Sequence, residues 1–226
     1  MTNLTGAQIK ALIGPLNPNR VANRKQGNST LSYLEAWDVR ATLIRVFGFG
    51  NWSAEVTQSD IVRIAQDVPA WAYNANKDAP KVQKKNPDGS LQFNWQVVAQ
   101  STVRLQIHTT GAVYTETGIA SQIGPDPGEV ADFAIKTASS DALKRAAMNL
   151  GTQFGLSLYD NGSTSDVVRV ILDPEQAELL SKARTQNGGA TQAPVPPQQQ
   201  DQATELEIDP EAHAAAGASV KAAFGG

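Results

Sequence analysis

The chain has 226 residues, 41% hydrophobic and 18% charged, with no cysteine, two histidines and a formal charge of −3. Disulfides and cysteine-based zinc sites are excluded, a reducing cytoplasmic setting fits, and no apolar run approaches the roughly 18 residues that a membrane span needs. The charge is uneven: residues 1–160 hold 15 Lys+Arg against 13 Asp+Glu, and residues 161–226 hold 4 against 9, so a slightly basic body precedes an acidic tail, as in many proteins that handle nucleic acid and many that do not.

The N-terminus has no basic region followed by an apolar core, so no secretory signal is expected. A weak helix is predicted around Gly6 to Gly14. The next segment, "NPNRVANRKQGNST", is polar and turn-rich and carries Arg20, Arg24 and Lys25. From Thr30 to Phe47 the pattern turns helical, with Leu34, Trp37, Ala41 and Ile44 recurring at three and four residues. Ser32 and Glu35 have capping-box spacing, and Gly48 is a natural stop.

Strands follow. Trp52, Ala54 and Val56 alternate with polar residues, as do Val103, Leu105 and Ile107. After "TTG", the segment "AVYTETGIAS" alternates again, so the last two strands form a hairpin. One face of such a sheet is buried, which leaves Arg104 and His108 on the other. Between the first two strands, roughly Asp67 to Asn94 is polar and holds Lys77, Lys81, Lys84, Lys85 and the turn "NPDGS". It reads as a long loop or an extended hairpin tip.

A long helix is then expected from about Gly128 to Leu150. Asp126 caps it, Pro127 opens its first turn, and Glu129 completes a capping box. Ile135, Ala138, Ala142, Leu143, Ala146 and Leu150 share one arc, and Thr137, Asp141, Lys144, Arg145 and Met148 the opposite one. The small alanines imply close packing against a sheet. The fold class is α+β: a three-stranded antiparallel sheet packed on a long helix, with a preceding helix. A shorter helix begins at Asp173–Pro174–Glu175. The stretch from Thr185 to Glu205 is rich in Gln, Pro, Gly and Ala, cannot offset its ordering entropy by burial, and reads as a flexible linker. The terminal segment beyond it is either a tethered docking peptide or a solubilising tail. The expected organisation is a body over 1–160, a short helical extension over 161–184 and an acidic Gln/Pro-rich tail over 185–226.

Several chemistries are missing. No GxxxxGK[ST] or strand-borne GxGxxG is present, which argues against a nucleotide site. His108 and His213 lie in different regions, so no histidine metal site is expected. Asp126, Glu129 and Asp132 are better explained by capping and the helix dipole than by catalysis. No nucleophile, base and orienter set emerges, and neither a catalytic residue nor a cofactor is expected. Lys144 and Arg145, read alone, are either a solvated helix face with Asp141 pairing Arg145 at i,i+4, or a phosphate-binding pair.

The ordered pieces "YLEAWDVRATLIRVFGFGNWSAEVTQ", "VRLQIHTTGAVYTETGIAS" and "AIKTASSDALKRAAMNLGTQFGLSLYD" resemble the Rad52/Rad22 single-strand annealing family over roughly residues 10–160. The small size and lack of cysteine resemble phage-type members, which would act in the cytoplasm of a bacterial host. The resemblance implies a β-β-β-α core, an oligomeric ring, single-stranded DNA in a positive outer groove, and ATP-independent annealing of complementary strands without covalent chemistry. In that family a lysine–arginine pair on the long helix contacts the DNA backbone, and Lys144 and Arg145 match it. An aromatic of the turn before the sheet lines the same groove, and Phe49 matches it, although Phe49 could equally close the turn as a core residue. Stacking of a base on an aromatic adds about 1–3 kcal/mol.

The chain departs from the family pattern in three places. Asp38 stands where a basic residue is frequent, leaving Arg40 as the substitute. Met148 replaces an arginine one turn beyond the pair. His108 replaces a hairpin lysine that helps hold a second DNA. Arg104 is a further phosphate candidate on the exposed sheet face, followed by Arg24 and Lys25. The 77–85 lysines are read as a solvated insert. Expected partners are single-stranded DNA, further copies of the chain, and, through the tail, a host single-strand binding protein or a cognate exonuclease. A non-catalytic oligomeric adaptor that recruits partners through its tail is the alternative function.

Overall fold

The computed structural model describes residues 4–27, 29–73, 80–168 and 170–186. The tail proposed from residue 185 lies, from 187 onward, outside the described residues, as does Lys77. The elements run α1 (Gly6–Ile13), β1 (Val21–Gln26), β2 (Ser29–Leu34), α2 (Ala36–Phe47), β3 (Trp52–Pro69), β4 (Phe93–Ile107), β5 (Ala112–Gly124), α3 (Pro127–Met148) and α4 (Pro174–Gln186). Short 3-10 turns at Pro18–Arg20, Thr152–Phe154 and Leu156–Tyr159 join them.

The three-stranded antiparallel sheet has the order β3-β4-β5, and α3 lies across β4 and β5 while scarcely reaching β3. Period-two alternation places Val97, Ala99, Val103, Leu105 and Ile107 of β4 against the helix, all buried. On α3 the buried residues are Val130, Ala134, Ala138, Ala142, Leu143, Ala146 and Ala147. Ile135 and Leu150, expected in that stripe, are only partly buried. The alanines do allow close approach. A Cβ on Gly118 of β5 would lie 2.3 Å from the Ala138 carbonyl oxygen and 2.7 Å from the Ala142 nitrogen.

The core forms two clusters along α3. The larger joins its second half to α1, α2, β4 and the 3-10 turns through Leu12, Leu43, Phe47, Leu143 and Phe154. The smaller joins its first half to Val97, Ala99 and Ala120. Between them runs a polar seam. Ser101 is fully buried, and its hydroxyl meets those of Ser59 and Ser139 at 3.1 Å each.

Two expectations are corrected. The helix predicted from Thr30 begins only at Ala36, because residues 29–34 form β2, which pairs antiparallel with β1 across Gly27 at φ +59°. Ser32 does not cap a helix. Its hydroxyl donates to Asn23 Oδ1 across this hairpin at 2.8 Å, and Glu35 is the N-cap without a side-chain bond to the helix backbone, its carboxylate accepting from Trp37 Nε1 instead. The apolar face of α2 is also rotated. Val39, Leu43 and Phe47 are buried, whereas Trp37 is 67% exposed.

The 67–94 stretch resolves in favour of the hairpin tip. β3 and β4 stay paired as far as Pro69 and Phe93. Beyond them, residues 70–72, 82–85 and 90–92 form a narrow ribbon held by Lys84 N to Ala70 O at 2.7 Å, Ala72 N to Val82 O at 2.8 Å and Gln92 N to Lys84 O at 2.8 Å. Its end is a tight turn. Gly89 N donates to Asn86 O at 2.9 Å with Pro87 at the second position and Gly89 at φ +86°. Ser90 donates to Asp88 Oδ1 through both its backbone N–H and its hydroxyl, which lowers the Asp88 carboxyl pKa from its ordinary value.

Candidate nucleic-acid interface

The long helix that carries Lys144 and Arg145 is fixed at both ends. Asp126 accepts from Glu129 N at 2.8 Å with Pro127 in the first turn, and the chain leaves through Gly151 at φ +110°. Arg145 sits in the last turn, with Lys144 just before it, where the carbonyl end of the helix dipole favours cations. Lys144 Nζ lies 2.6 Å from Asp141 Oδ1, and Arg145 Nη2 lies 3.4 Å from Glu116 Oε2 on β5. The expected Asp141–Arg145 pair is thereby replaced. Asp141 holds Lys144, because the inward-facing Glu116 at the sheet edge is placed to meet Arg145. The side chains are 27% and 51% exposed.

These two residues form one wall of an open cleft of about 870 Å3, with the β1–β2 hairpin as the opposite wall and Thr117–Ile119 of β5 beneath. Arg24 projects into it from β1, and Tyr33 from β2. The Arg24 guanidinium carbon lies 5.7 Å from the Tyr33 ring centroid and Lys144 Nζ lies 5.6 Å from it. One ring thus serves two cations on different elements, within the range of cation–π attraction. Met148 and Tyr159 complete the rim, and Tyr159 is strongly exposed.

The other expected residues are not brought to this cleft. Lys25 is exposed and, one residue along the strand from Arg24, points the other way. Arg40 is exposed on α2 and lines no part of the cleft. Phe49 is 85% exposed in the turn after α2, between Gly48 at φ +85° and Gly50 at φ +74°, so it is not a core residue; Phe47 fills the core instead. Arg104 occupies the sheet face opposite α3, 4.0 Å from Glu55 Oε2, and donates to Gln106 Oε1 at 3.1 Å. His108 stands between the Ser53 hydroxyl and the Gly50 carbonyl, each at 3.0 Å.

Asp38 has a structural role. It is buried and accepts from Arg20 Nε at 3.0 Å and Nη2 at 2.8 Å. Arg20 also donates to Thr42 Oγ1 at 2.7 Å and to the carbonyl and side-chain oxygens of Gln153, both at 2.9 Å. Gln153 Nε2 returns to the Gly14 and Pro15 carbonyls at 2.9 Å. The network pins α2 and the segment after α3 together behind the cleft. Tyr33, Tyr159 and this role of Arg20 escape a reading of the sequence. The alternation of Leu31 and Tyr33 around a Gly27 turn was the available signal for the hairpin that presents Tyr33 and Arg24.

Among the described residues no group of acidic or histidine side chains is arranged to hold a metal, and no helix is long and apolar enough to cross a membrane. The chain is similar to the DNA repair and recombination protein rad22 of Schizosaccharomyces pombe, at 27% identity over 66% of this chain and 28% of the relative. It is likewise similar to the DNA repair and recombination protein rti1 of the same yeast, at 26% identity over 75% of this chain and 39% of the relative. It therefore spans well under half the length of either, and a bacterial host draws no support from two fission-yeast proteins. The profile described as Rad52/22 family double-strand break repair protein matches residues 5–176, which takes in α1 through the cleft to the start of α4, and the chain belongs to that family.

Proposed function

We propose that the chain binds single-stranded DNA along the cleft between the β1–β2 hairpin and α3, and anneals complementary strands without ATP or covalent chemistry. The observation that carries this reading is the convergence of Arg24, Lys144 and Arg145 on one open cleft around the Tyr33 ring. Long cationic side chains bind phosphates without reading bases, which leaves the bases free to pair with a second strand. The carboxylates of Asp141 and Glu116 do not compete strongly. Exposed pairs are worth about 0–1 kcal/mol, so a phosphate can replace either partner.

Three cations per subunit give weak binding alone, and repetition along one strand multiplies it. The sheet offers surfaces for such repetition. Val56, Ile61 and Ile64 lie exposed on the α3 side of β3, which the helix leaves uncovered, and Val113, Ile119 and Ile123 lie exposed on the opposite face of β5. Contact between unlike surfaces repeats head to tail and closes into a ring when the rotation allows. The ring belongs to the same proposal.

The test is annealing of two complementary oligonucleotides without ATP, by the native protein and by Lys144→Ala/Arg145→Ala, with the oligomeric state of both measured. Acceleration by the native protein and its loss in an assembled double variant are expected. A native protein that assembles and never anneals overturns the reading.

A further inference from the structure

We propose that Tyr159 and Met148, at the rim of the cleft, form a subsite that holds one base of the bound strand per subunit by stacking, beside the phosphate contacts of Arg24, Lys144 and Arg145. The inference rests on the reading that single-stranded DNA lies in the cleft, and goes beyond it in the part of the nucleotide that is held and the residues that hold it. A track for phosphates alone needs cations and polar groups. This cleft also carries Leu31, Ile119 and Tyr159 as exposed side chains, the last two 63% and 73% exposed, and half-buried Met148 shares its lining. Apolar surface left open to water beside a set of phosphate-binding cations fits the flat faces of bases, each of which can stack whatever its sequence.

The cations leave this end of the cleft to the base. Arg24 and Lys144 gather at the Tyr33 ring. Met148 follows Lys144 by four residues, on the same face of α3 about 6 Å further along its axis, and carries no charge. A strand anchored by a phosphate at Lys144 and Arg145 therefore brings its neighbouring nucleotide to Met148 and Tyr159, and a thioether suits a ring as its neighbour. Among the described residues no cation stands over the Tyr159 ring and its hydroxyl has no hydrogen-bond partner, so nothing in the chain competes with a base for it. The ring is also presented on a fixed turn. Phe154 and Leu158 before it are buried in the core, Asp160 N donates to Ser157 O at 3.0 Å, and Gly162 N donates to Leu158 O at 2.9 Å. Asn161 at φ +51° and Gly162 at φ +76° then turn the chain against β2, where a Cβ on Gly162 would lie 2.9 Å from Ser32 Oγ. A ring held in place beforehand loses little freedom when a base stacks on it. One base held per subunit anchors the strand and leaves the others free to pair.

The experiment uses the full chain and two short oligomers of equal length, oligothymidine and its abasic analogue, which carries the same phosphates without bases. The native protein is expected to bind oligothymidine more tightly. Tyr159→Ala should keep the affinity for the abasic oligomer, which also shows that the variant is folded, while its affinity for oligothymidine falls by about fivefold to a hundredfold, the range for one stacked base. Tyr159→Phe should bind as the native protein does. The slope of log affinity against log salt should be the same in all three proteins, since no phosphate contact is lost. An oligomer carrying photoreactive iododeoxyuridine should crosslink at Tyr159 or Met148. Equal affinity of the native protein for the two oligomers overturns the subsite, as does a Tyr159→Ala variant that weakens both alike or neither, or one with a flatter salt slope. If both oligomers still bind and Lys144→Ala/Arg145→Ala abolishes that binding, the cleft reading stands without the subsite. Absence of binding to either oligomer overturns both.

Discussion

Arg20 directs its donors to Asp38, Thr42 and Gln153, with the Arg20 and Asp38 side chains only 11% and 6% exposed. Removing one partner of such a buried pair leaves the other charge without compensation, at a cost of about 3–5 kcal/mol. Asp38→Ala is therefore expected to lower the urea midpoint sharply, whereas Arg40→Ala, on the exposed face of the same helix, should leave it nearly unchanged. Equal midpoints for both variants would show that the network contributes nothing. Tyr33 is the other residue whose effect can be read singly. Its ring is shared by Arg24 and Lys144, so Tyr33→Ala frees both side chains and removes an aromatic face from the cleft. Affinity for single-stranded DNA should fall by the equivalent of about 1–3 kcal/mol, the range for one stacked base, and Tyr33→Phe should retain most of it. A fall in affinity in the Phe variant as large as in the Ala variant would assign the effect to the hydroxyl instead.

At the scale of elements, β5 packs very closely on α3. A methyl on Gly118 meets backbone of Ala138 and Ala142 on α3, and neither atom belongs to a side chain that can turn away. Overpacking typically costs about 1–3 kcal/mol, and rigid backbone on the receiving side places Gly118→Ala at the upper end. Thermal unfolding should register it, and a melting temperature equal to the native one would mean that the helix can shift. This packing was legible beforehand, since the Asp126–Pro127–Glu129 start and the spaced alanines specify a long helix with a small-residue face. The β4–β5 hairpin was legible for the same reason, as Val103, Leu105 and Ile107 alternate cleanly. The β1–β2 hairpin was not. Its strands mix Asn, Arg, Lys, Gln, Ser and Thr with few apolar residues, and of the described side chains only Leu34 at its end is fully buried, so the short alternation of Leu31 and Tyr33 is the one weak mark it leaves. That omission hid the cleft. Lys144 and Arg145 could be named from helix position and family likeness, but Tyr33 and Arg24 join them only through a pairing that polar residues do not announce. The Arg20–Asp38 interaction links residues 18 apart in the chain, and no local pattern predicts it.

For the whole molecule the deciding quantity is how charge is divided. Residues 187–226 carry one lysine against five carboxylates, while residues 1–186 carry 18 Lys+Arg against 17 Asp+Glu. Ending the chain after Gln186, so that α4 keeps its place on α1, changes the formal charge from −3 to +1. An acidic segment tethered to a DNA-binding body lowers the local concentration of phosphate around it, and the effect acts through the field, not through direct touch. The shortened protein should thus bind single-stranded DNA more tightly at low salt, by roughly a few-fold. The difference should vanish above about 0.1 M salt, where the screening length falls to about 10 Å. The two titration series, run side by side, separate the field from direct binding by the tail. If the shortened protein binds more weakly at every salt concentration, the tail itself touches the DNA or supports the assembly. An advantage that persists at high salt would show that the field is not its cause, since a field effect is screened at that salt.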